Sequence, residues 1–433
     1  MIYNKPEQKP QHTILGMDPT KSLAYFMAKF RKHLAIFLWI IPIISGPLSY
    51  SAKAQGLQAC LHWITESDSI ILADAQGNIL IRKHDRKERI PASTLKLLTA
   101  LVALREMGPA YRFKTTCYLT GQGNLLIKGY GDPLLISEVL NDMAQVLAGR
   151  IHRIKDIIVD NHYFSRSITI PGRGHSTNPY DAPPAALCAN FNTINVTRDR
   201  YGNIISAEPQ TPLTPLGERI AKTVGARNGR YTLGDDPDVA SRYAGEILAH
   251  FLREKGVAVT GSVRLGTLSP AMRPLLTYRS PFTLREVIQK MLEFSSNFMA
   301  NQLVISMGAI RYGPPGTVEK GLRIVRGYAN RELGLNNIWV VEGSGISRDN
   351  RISAKDMLTV LMHFRPYHHL LRKKTNLFYK TGTLKDVRTC VGYIKVLPMD
   401  LYPFVIFVNR PFHQMDHIIT CLLKATIRKK KGL

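Results

Sequence analysis

The chain has 433 residues, 45% of them apolar and 21% charged, a composition that excludes an intrinsically disordered protein and allows two or three domains with buried cores. Lys and Arg number 58 and Asp and Glu 32, so the net charge of +26 favours anionic partners or is a general property of the surface. No zinc-ligand spacing, RNA-binding signature or clustered basic and aromatic groove accompanies this charge, and we therefore expect no nucleic-acid partner.

A targeting segment is predicted at the amino terminus. Basic residues at positions 29–32 precede the apolar run from Leu34 to Ile44, and Ala52-Lys53-Ala54 resembles a signal-peptidase site. This order is typical of a secretory signal peptide, and the apolar run is short for a membrane-spanning helix. We expect residues 1–54 to direct export to the periplasm, with an uncleaved anchor as the alternative.

Two elements are predicted directly after this leader. Residues 69–74 and 79–82 have strand patterns around the turn Ala75-Gln76-Gly77-Asn78, which indicates a β-hairpin. From Leu95 onward apolar residues recur at helical spacing, and Gly108-Pro109 ends the pattern.

A separate accessory region is predicted over residues 112–275. Short apolar runs such as 124–128, 157–160 and 191–196 alternate with turns rich in Gly, Pro and Asn, which indicates a mostly β structure. An amphipathic helix is predicted within it over residues 240–256.

Helical spacing returns at Leu284, breaks at Phe294-Ser295-Ser296-Asn297 and resumes through Met307. The remaining predicted elements are strands at 376–381, 390–396 and 402–409, and a last helix at 414–428. We expect this helix to pack on the sheet, with a basic tail from Arg428 to Lys431. The alternative is peripheral membrane contact through the basic carboxyl terminus.

Five cysteines are spread along the chain without a CxxC pair: Cys60, Cys117, Cys188, Cys390 and Cys421. This spacing indicates neither a zinc site nor a thioredoxin-like motif. In an oxidising compartment one or two disulfides can form, and the odd number leaves at least one free thiol.

Three short motifs in a fixed order carry the chemistry: Ser93-Thr94-Leu95-Lys96, Ser295-Ser296-Asn297 and Lys380-Thr381-Gly382. Residues three apart share a helix face, so Ser93 and Lys96 can meet in the first turn of the predicted helix. A serine hydroxyl needs a base to become a nucleophile, and a lysine with a lowered pKa can take its proton. The free N–H of Ser93 is a candidate oxyanion donor.

The other two motifs are predicted to complete the site. At the helix break, Ser295 can relay a proton to a leaving amine, and Asn297 can hold a substrate amide. If Lys380 lies on an edge strand, its backbone can pair with an extended peptide while its charge attracts a carboxylate. Thr381 and Thr383 offer hydroxyls, Gly382 allows close approach, and the N–H of Thr383 is a second candidate oxyanion donor.

The motifs and several longer segments resemble the D-alanyl-D-alanine carboxypeptidases/endopeptidases of the class C low-molecular-mass penicillin-binding proteins (penicillin-binding protein 4 type, peptidase family S13). The resemblance covers nearly the whole chain after the leader. The segments that carry it are Pro91–Ala100, Gly129–Leu134, Asp160–Phe164, Pro183–Val196, Gly343–Ser347 and Lys380–Leu384.

The resemblance implies an α+β, multidomain fold. A β-lactamase/transpeptidase-like catalytic domain, an antiparallel sheet flanked by helices, would consist of residues 55–111 and 276–433, with the accessory region 112–275 inserted. It also implies that Ser93 is acylated and that Lys96 is its base, without metal or cofactor. Ser295, Asn297 and Lys380 would complete the site.

The implied activity is removal of D-alanine from peptidoglycan peptides ending in D-Ala-D-Ala, with acylation by β-lactams. A β-lactamase or esterase on the same fold is one alternative, but Ser295 follows Ser93 by 202 positions, which favours the peptidase. A catalytically idle cell-wall-binding protein is the other alternative, which the intact Ser93, Lys96 and Lys380 disfavour.

Overall fold

The computed structural model describes residues 55–269, 272–397, 400–411 and 414–427. The predicted signal peptide, residues 1–54, and the basic tail from Arg428 to Lys431 lie outside the described residues. Within the described ranges, no helix combines the length and the apolar composition needed to span a bilayer. Contacts group the described residues from Gly56 to Ile427 into one compact unit.

The first elements are a hairpin and a fully enclosed helix: β1 (Asp68–Ala73), β2 (Ile79–Lys83), the short β3 (Glu88–Arg89) and α1 (Lys96–Glu106). Strands β1 and β2 pair antiparallel, as the sequence pattern predicts. Every residue of α1 from Lys96 to Leu104 is buried, which is typical of a helix at the centre of a protein.

The next part of the chain mixes strands with helices: β4 (Lys114–Leu119), β5 (Leu125–Gly129), α2 (Ser137–Ala148), β6 (Arg153–Ile154), β7 (Ile157–Asp160), β8 (Thr193–Arg198), β9 (Ile204–Ser206), α3 (Pro215–Thr223), β10 (Gly229–Thr232), α4 (Pro237–Glu254), β11 (Ala258–Val259), β12 (Val263–Leu265) and β13 (Leu276–Arg279). Its main sheet has the order β12-β7-β5-β4-β13, and a smaller one has the order β10-β8-β9.

This accessory region differs in two ways from the sequence prediction. It contains α2 and α3 besides the predicted helix, which is α4. Strand β13, which the predicted boundary at 275/276 assigns to the catalytic domain, pairs with β4, so the accessory sheet extends to Arg279. The reason is that strand partners are chosen by long-range packing, which no local pattern reports.

The last part of the chain contains α5 (Leu284–Phe294), α6 (Asn297–Tyr312), α7 (Val318–Arg331), β14 (Ile352–Ser353), α8 (Ala354–Phe364), β15 (Arg372–Lys374), β16 (Leu377–Leu384), β17 (Val387–Leu397), β18 (Asp400–Val408) and α9 (Met415–Thr426). Four of its strands join the hairpin in a six-stranded antiparallel sheet of order β15-β16-β17-β18-β1-β2.

Both faces of this six-stranded sheet are covered. Alternate residues of β1 point to opposite faces: Ile71 joins the large core that contains α1 and α8, whereas Ile70 joins a second core beneath α9. Burial on both faces explains why residues Ile70–Ala73 of β1 form a continuous apolar run rather than alternating with polar residues. The result is an antiparallel sheet between two helical layers, as the resemblance implies.

Helix α9 packs on the sheet, as the sequence analysis favours. Its side chains Ile418 and Leu422 are buried against Phe404 and other apolar residues of the outer sheet face. A disulfide joins Cys421 of α9 to Cys60 near the start of the described chain, with the two Cα atoms 5.7 Å apart. The other three cysteines are free and buried.

Candidate active site

Ser93 lies in a tight turn at the start of α1. Residues Ala92–Leu95 form one 3₁₀ turn that continues directly into the helix, so Ser93 and Lys96 lie on the same face. Ala92 has a φ of +47°, a left-handed conformation that costs a residue with a Cβ roughly 1–3 kcal/mol. Strain of this kind beside a candidate nucleophile is common in active sites, where the surrounding packing fixes the conformation.

Lys96 is completely buried, and its Nζ atom has three oxygen neighbours. They are Ser93 Oγ at 2.9 Å, Asn297 Oδ1 at 2.8 Å and the backbone oxygen of Ser344 at 2.7 Å. Burial, and after it the charge of Lys380, lowers the pKa of Lys96 well below its ordinary range, while Glu342 acts in the opposite direction. At a given pH, a larger fraction of Lys96 is therefore in the neutral amine form than for an ordinary lysine.

The partners of a neutral Lys96 direct its lone pair. The Asn297 oxygen and the Ser344 carbonyl can only accept hydrogen bonds, so they take the two N–H groups of the amine. The lone pair then faces the third neighbour, the Ser93 hydroxyl, which is able to donate its proton. This arrangement is suited to activating Ser93 as a nucleophile.

The predicted helix break brings the second motif to the same place. Helix α5 ends at Phe294, and the next residue, Ser295, has a φ of +54°. The Ser296 hydroxyl caps α6 by accepting a hydrogen bond from Met299 N at 3.2 Å. Asn297 is the first residue of α6 and reaches Lys96. The Ser295 hydroxyl accepts a hydrogen bond from Lys380 Nζ at 2.8 Å. The break thus joins the first motif to the third.

Lys380 is 3% exposed rather than directed into solvent. Its Nζ atom donates to Ser295 Oγ and also to the backbone oxygen of Thr381 at 2.6 Å. Burial, followed by the nearby charge of Arg372, lowers the pKa of Lys380 to about 7. Its charge therefore responds to pH near neutrality.

The third motif lies on a strand that is paired along its whole length on one side only. Strand β16 pairs with β17 from Leu377 to Leu384, whereas β15 covers its other edge at residues 377–379. Among the described strands, none pairs with the second edge of residues 380–384. The condition set in the sequence analysis, that Lys380 lies on an edge strand, is met for the motif itself, and an extended peptide can pair there.

Gly382 brings this strand against the turn that contains Ser93. A Cβ atom at position 382 would lie 2.8 Å from Ser93 N and 2.3 Å from Thr389 Oγ1, so a side chain cannot be accommodated without movement. Thr381 and Thr383 are exposed and alternate with Lys380, which puts their side chains on the other face of the strand. Their hydroxyl contacts with substrate stay a prediction.

The accessory region forms one wall of this site. A small cavity beside Asn297 is lined by Ile346 and by Ile170, Arg173 and Tyr180 of the accessory region. Gly172 lies against Ser347, where a Cβ atom would come within 2.5 Å of the Ser347 Cα. A peptide entering the site from this side therefore contacts the accessory region.

Two residues of the site received no role in the sequence analysis. The Ser344 carbonyl binds Lys96, and Glu342 is buried beside it. The Gly343–Ser347 segment was noted for its resemblance alone, and a backbone carbonyl leaves no sign in a sequence. The signal that could have found Glu342 is an acidic residue directly before a Gly-Ser-Gly run.

Comparisons with known proteins agree with this geometry. The chain is 24% identical to the D-alanyl-D-alanine carboxypeptidase DacB of Haemophilus influenzae, covering 78% of this chain and 82% of the relative. It is 25% identical to the D-alanyl-D-alanine carboxypeptidase of Actinomadura, covering 68% of this chain and 64% of that protein.

The fold is similar to crystal structures of penicillin-binding protein 4 from Haemophilus influenzae. The match has a TM-score of 0.66 at 21% identity and covers 83% of this chain and 94% of that one. A β-lactam complex of the same protein matches with a TM-score of 0.62 at 20% identity, with the same coverage. These likenesses confirm the α+β, transpeptidase-like architecture.

The model of the D-Ala-D-Ala carboxypeptidase 3 (S13) family matches residues 65–239 and 235–372, which together include two of the three motifs. The third motif begins at Lys380, eight positions after the matched range ends. The chain therefore belongs to the D-Ala-D-Ala carboxypeptidase 3 (S13) family of serine-type hydrolases.

Proposed function

We propose that Ser93 is the nucleophile with which this D-Ala-D-Ala carboxypeptidase forms an acyl-enzyme on peptidoglycan peptides. The observation that carries the proposal is the contact of 2.9 Å between Ser93 Oγ and the buried Nζ of Lys96, whose two other partners can only accept hydrogen bonds. This is the geometry of a nucleophile and its base.

Acylation follows from these positions. Ser93 Oγ attacks the carbonyl carbon of the penultimate D-alanine, and its proton passes to Lys96 Nζ. The carbonyl oxygen becomes an oxyanion that accepts hydrogen bonds from Ser93 N and, by the position of the strand edge, from Thr383 N. The peptide C–N bond then breaks, and the C-terminal D-alanine leaves.

The leaving amine needs the proton that Lys96 has taken. We assign this transfer to Ser295, whose hydroxyl can both accept and donate a proton and whose oxygen binds Lys380 Nζ at 2.8 Å. A lysine whose pKa lies near 7 can adjust its charge as this proton moves. Deacylation repeats the sequence with water as nucleophile and Lys96 as its base, which regenerates Ser93.

Substrate binding is assigned to Asn297, Lys380 and the edge of β16. Asn297 keeps its amide N–H groups for a substrate carbonyl while its oxygen binds Lys96. The backbone of residues 380–384 can pair with the extended peptide, and Lys380 supplies positive charge for the terminal carboxylate. The substrate class is peptidoglycan stem peptides ending in D-Ala-D-Ala, on which endopeptidase activity would use the same residues.

β-Lactams are proposed as acylating inhibitors, since their strained amide can replace the peptide bond at Ser93. A β-lactam complex is known for the similar penicillin-binding protein 4 of Haemophilus influenzae. The place of action is proposed to be the periplasm. The Cys60–Cys421 disulfide supports this, since disulfides persist in oxidising compartments. Membrane contact of the basic tail stays a prediction.

The test is release of D-alanine from a synthetic pentapeptide ending in D-Ala-D-Ala. Wild-type protein should release it, and Ser93→Ala should not. Lys380→Arg is a useful companion, because the larger guanidinium keeps the charge but does not fit the buried position, so we expect weaker release. Equal release by wild type and Ser93→Ala would overturn the assignment of the nucleophile.

A further inference from the structure

Glu342 is a completely buried carboxylate beside the candidate active site, in the loop between α7 and β14. An ionised carboxylate in such a position is unfavourable unless hydrogen bonds or charges compensate its burial. The mechanism above does not use Glu342, so the burial of its carboxylate at this position calls for a physical explanation.

Both carboxylate oxygens of Glu342 are bound by the loop that follows it. Oε2 accepts hydrogen bonds from Ser344 N and Oγ, each at 2.6 Å, and from Asn301 Nδ2 at 3.1 Å. Oε1 accepts hydrogen bonds from Gly345 N at 2.6 Å and Asn350 Nδ2 at 2.8 Å. The carboxylate therefore fixes two consecutive backbone N–H groups of the loop and ties them to α6.

The loop fixed in this way touches both the nucleophile turn and its base. The Ser344 carbonyl accepts a hydrogen bond from Lys96 Nζ at 2.7 Å. Gly345, at φ +81°, lies so close to the turn that a Cβ atom would be 1.9 Å from the Ala92 oxygen. Thr99, one turn along α1, donates to the carbonyl of Gly343 at 2.7 Å. A shift of the loop would therefore move the acceptor that orients Lys96.

We propose that Glu342 is a positioning residue for acylation, whose carboxylate holds the Ser344 carbonyl where it orients the Lys96 amine toward Ser93. This inference rests on the proposed role of Lys96 as the base of Ser93. It assigns the Gly-Ser-Gly loop a part in the reaction without any contact between Glu342 and the substrate.

The charge of Glu342 acts on Lys96 as well. Two charged groups from other elements face Lys96: Lys380 of β16 lowers its pKa and Glu342 raises it. Lys380 is itself faced by Arg372 of β15, which lowers the pKa of Lys380. Removing the negative charge at position 342 therefore favours the neutral form of Lys96 at lower pH.

The test compares Glu342→Gln and Glu342→Asp with wild type. The measurement is the second-order rate constant for acylation by a fluorescent penicillin, taken across the pH range in which each protein stays folded. The matched control is Asp160→Asn, since Asp160 is also 0% exposed and binds backbone N–H groups of His162 and Leu268, but in the accessory region. Melting temperatures are recorded for all four proteins.

Glu342→Gln should be acylated on the order of 10–100-fold more slowly, because the loop and the amine lose their alignment. The acidic limb of its pH–rate profile should move to lower pH, because the substitution removes the negative charge that raises the pKa of Lys96. Glu342→Asp keeps the charge but is one methylene shorter, so we expect a slower rate with an unmoved limb. Asp160→Asn should melt at lower temperature, but its acylation rate and the acidic limb of its pH–rate profile should match those of wild type.

A folded Glu342→Gln that is acylated at the wild-type rate would contradict the proposal. A slower acylation rate with no shift in the acidic limb of the pH–rate profile would also contradict it, because that result indicates a structural role alone. If Glu342→Gln does not fold, Glu342→Asp decides, and an unchanged rate in that variant would overturn the proposal. No acylation of wild type would overturn the proposed function first and this inference with it.

Discussion

Lys96 Nζ lies 2.8 Å from Asn297 Oδ1, which joins the first residue of α6 to the first residue of α1 at the bottom of the site. The two residues are 201 positions apart in the chain, and the Lys96 side chain is completely buried. The proposed base, Lys96, therefore has a fixed orientation before any substrate is present, which is the condition for efficient proton transfer.

Replacing Lys96 tests this arrangement. Lys96→Met keeps much of the shape of the side chain but removes the amine, so acylation by penicillin should slow by about 10²–10⁴-fold, the usual contribution of a positioned base. Stopped-flow measurement of the acylation rate checks this. Because the charged form of Lys96 is disfavoured by burial, the variant should be at least as stable as wild type toward urea. Wild-type acylation by Lys96→Met would rule out Lys96 as the base.

The pH dependence of stability reports the buried charge of Lys380. Its pKa is about 7 in the folded protein and 10.5 in the unfolded chain, so the unfolded state binds more protons between these values. The free energy of unfolding should therefore rise with pH across this window, by up to about 1.4 kcal/mol per pH unit from this one group.

Lys380→Met isolates that contribution. Urea unfolding of wild type and variant at a series of pH values above 7 gives the two slopes, and the slope of the variant should be smaller. Below pH 7 both states of Lys380 are protonated, so the difference between the proteins should become constant. Parallel curves throughout the window would show that Lys380 keeps an ordinary pKa.

Gly382→Ala should disturb the site by a steric clash, without removing any reactive group. Its Cβ would lie 2.8 Å from Ser93 N and 2.3 Å from Thr389 Oγ1, so the strand must move away from the nucleophile. We expect acylation to fall on the order of 10²-fold and stability to fall by about 1–3 kcal/mol. Gly121→Ala is the control, as a Cβ there has no neighbour within 4 Å. Equal behaviour of the two variants would contradict the close packing.

The disulfide should stabilise the fold without affecting the reaction. The Cys60–Cys421 bond ties α9 to the start of the described chain across 361 positions, and losing it should cost about 2–5 kcal/mol. Cys421→Ser together with Cys60→Ser should therefore melt at lower temperature and become insensitive to reducing agent. Acylation at low temperature should persist, since α9 and α1 pack on opposite faces of the sheet. Loss of acylation in the folded variant would contradict this separation.

Sequence patterns predicted the parts of this protein whose signals are local. Short apolar runs on either side of a turn identified β1 and β2, helical spacing identified α1, and the break between α5 and α6 appeared as two consecutive serines with the capping residue Ser296. The three motifs were found because their spacing within each motif is short. In each case residues within one or two turns of each other decide the structure.

The rest depends on contacts between distant residues. Cys60 could not be paired with Cys421, because pairing is settled by how α9 docks on the sheet. The helices α2 and α3 lie in a region whose short apolar runs favoured strands, although Thr214 and Pro215 mark the start of α3. The loop after Glu342 supports Lys96 through the carbonyl of Ser344, which lies 248 positions away in the sequence. Because every residue has a backbone carbonyl, no sequence signal marks this one.

Intact-mass analysis of the protein after exposure to penicillin, followed by peptide mapping, tests the role of Ser93 most directly. If Ser93 is acylated, a single penicilloyl adduct should appear on the peptide that contains it, be absent from Ser93→Ala, and be lost slowly as water hydrolyses the ester. Rapid loss of the adduct would favour the alternative of a β-lactamase. An adduct on another serine, or none on the folded wild-type protein, would contradict the central claim that Ser93 is the acylated nucleophile.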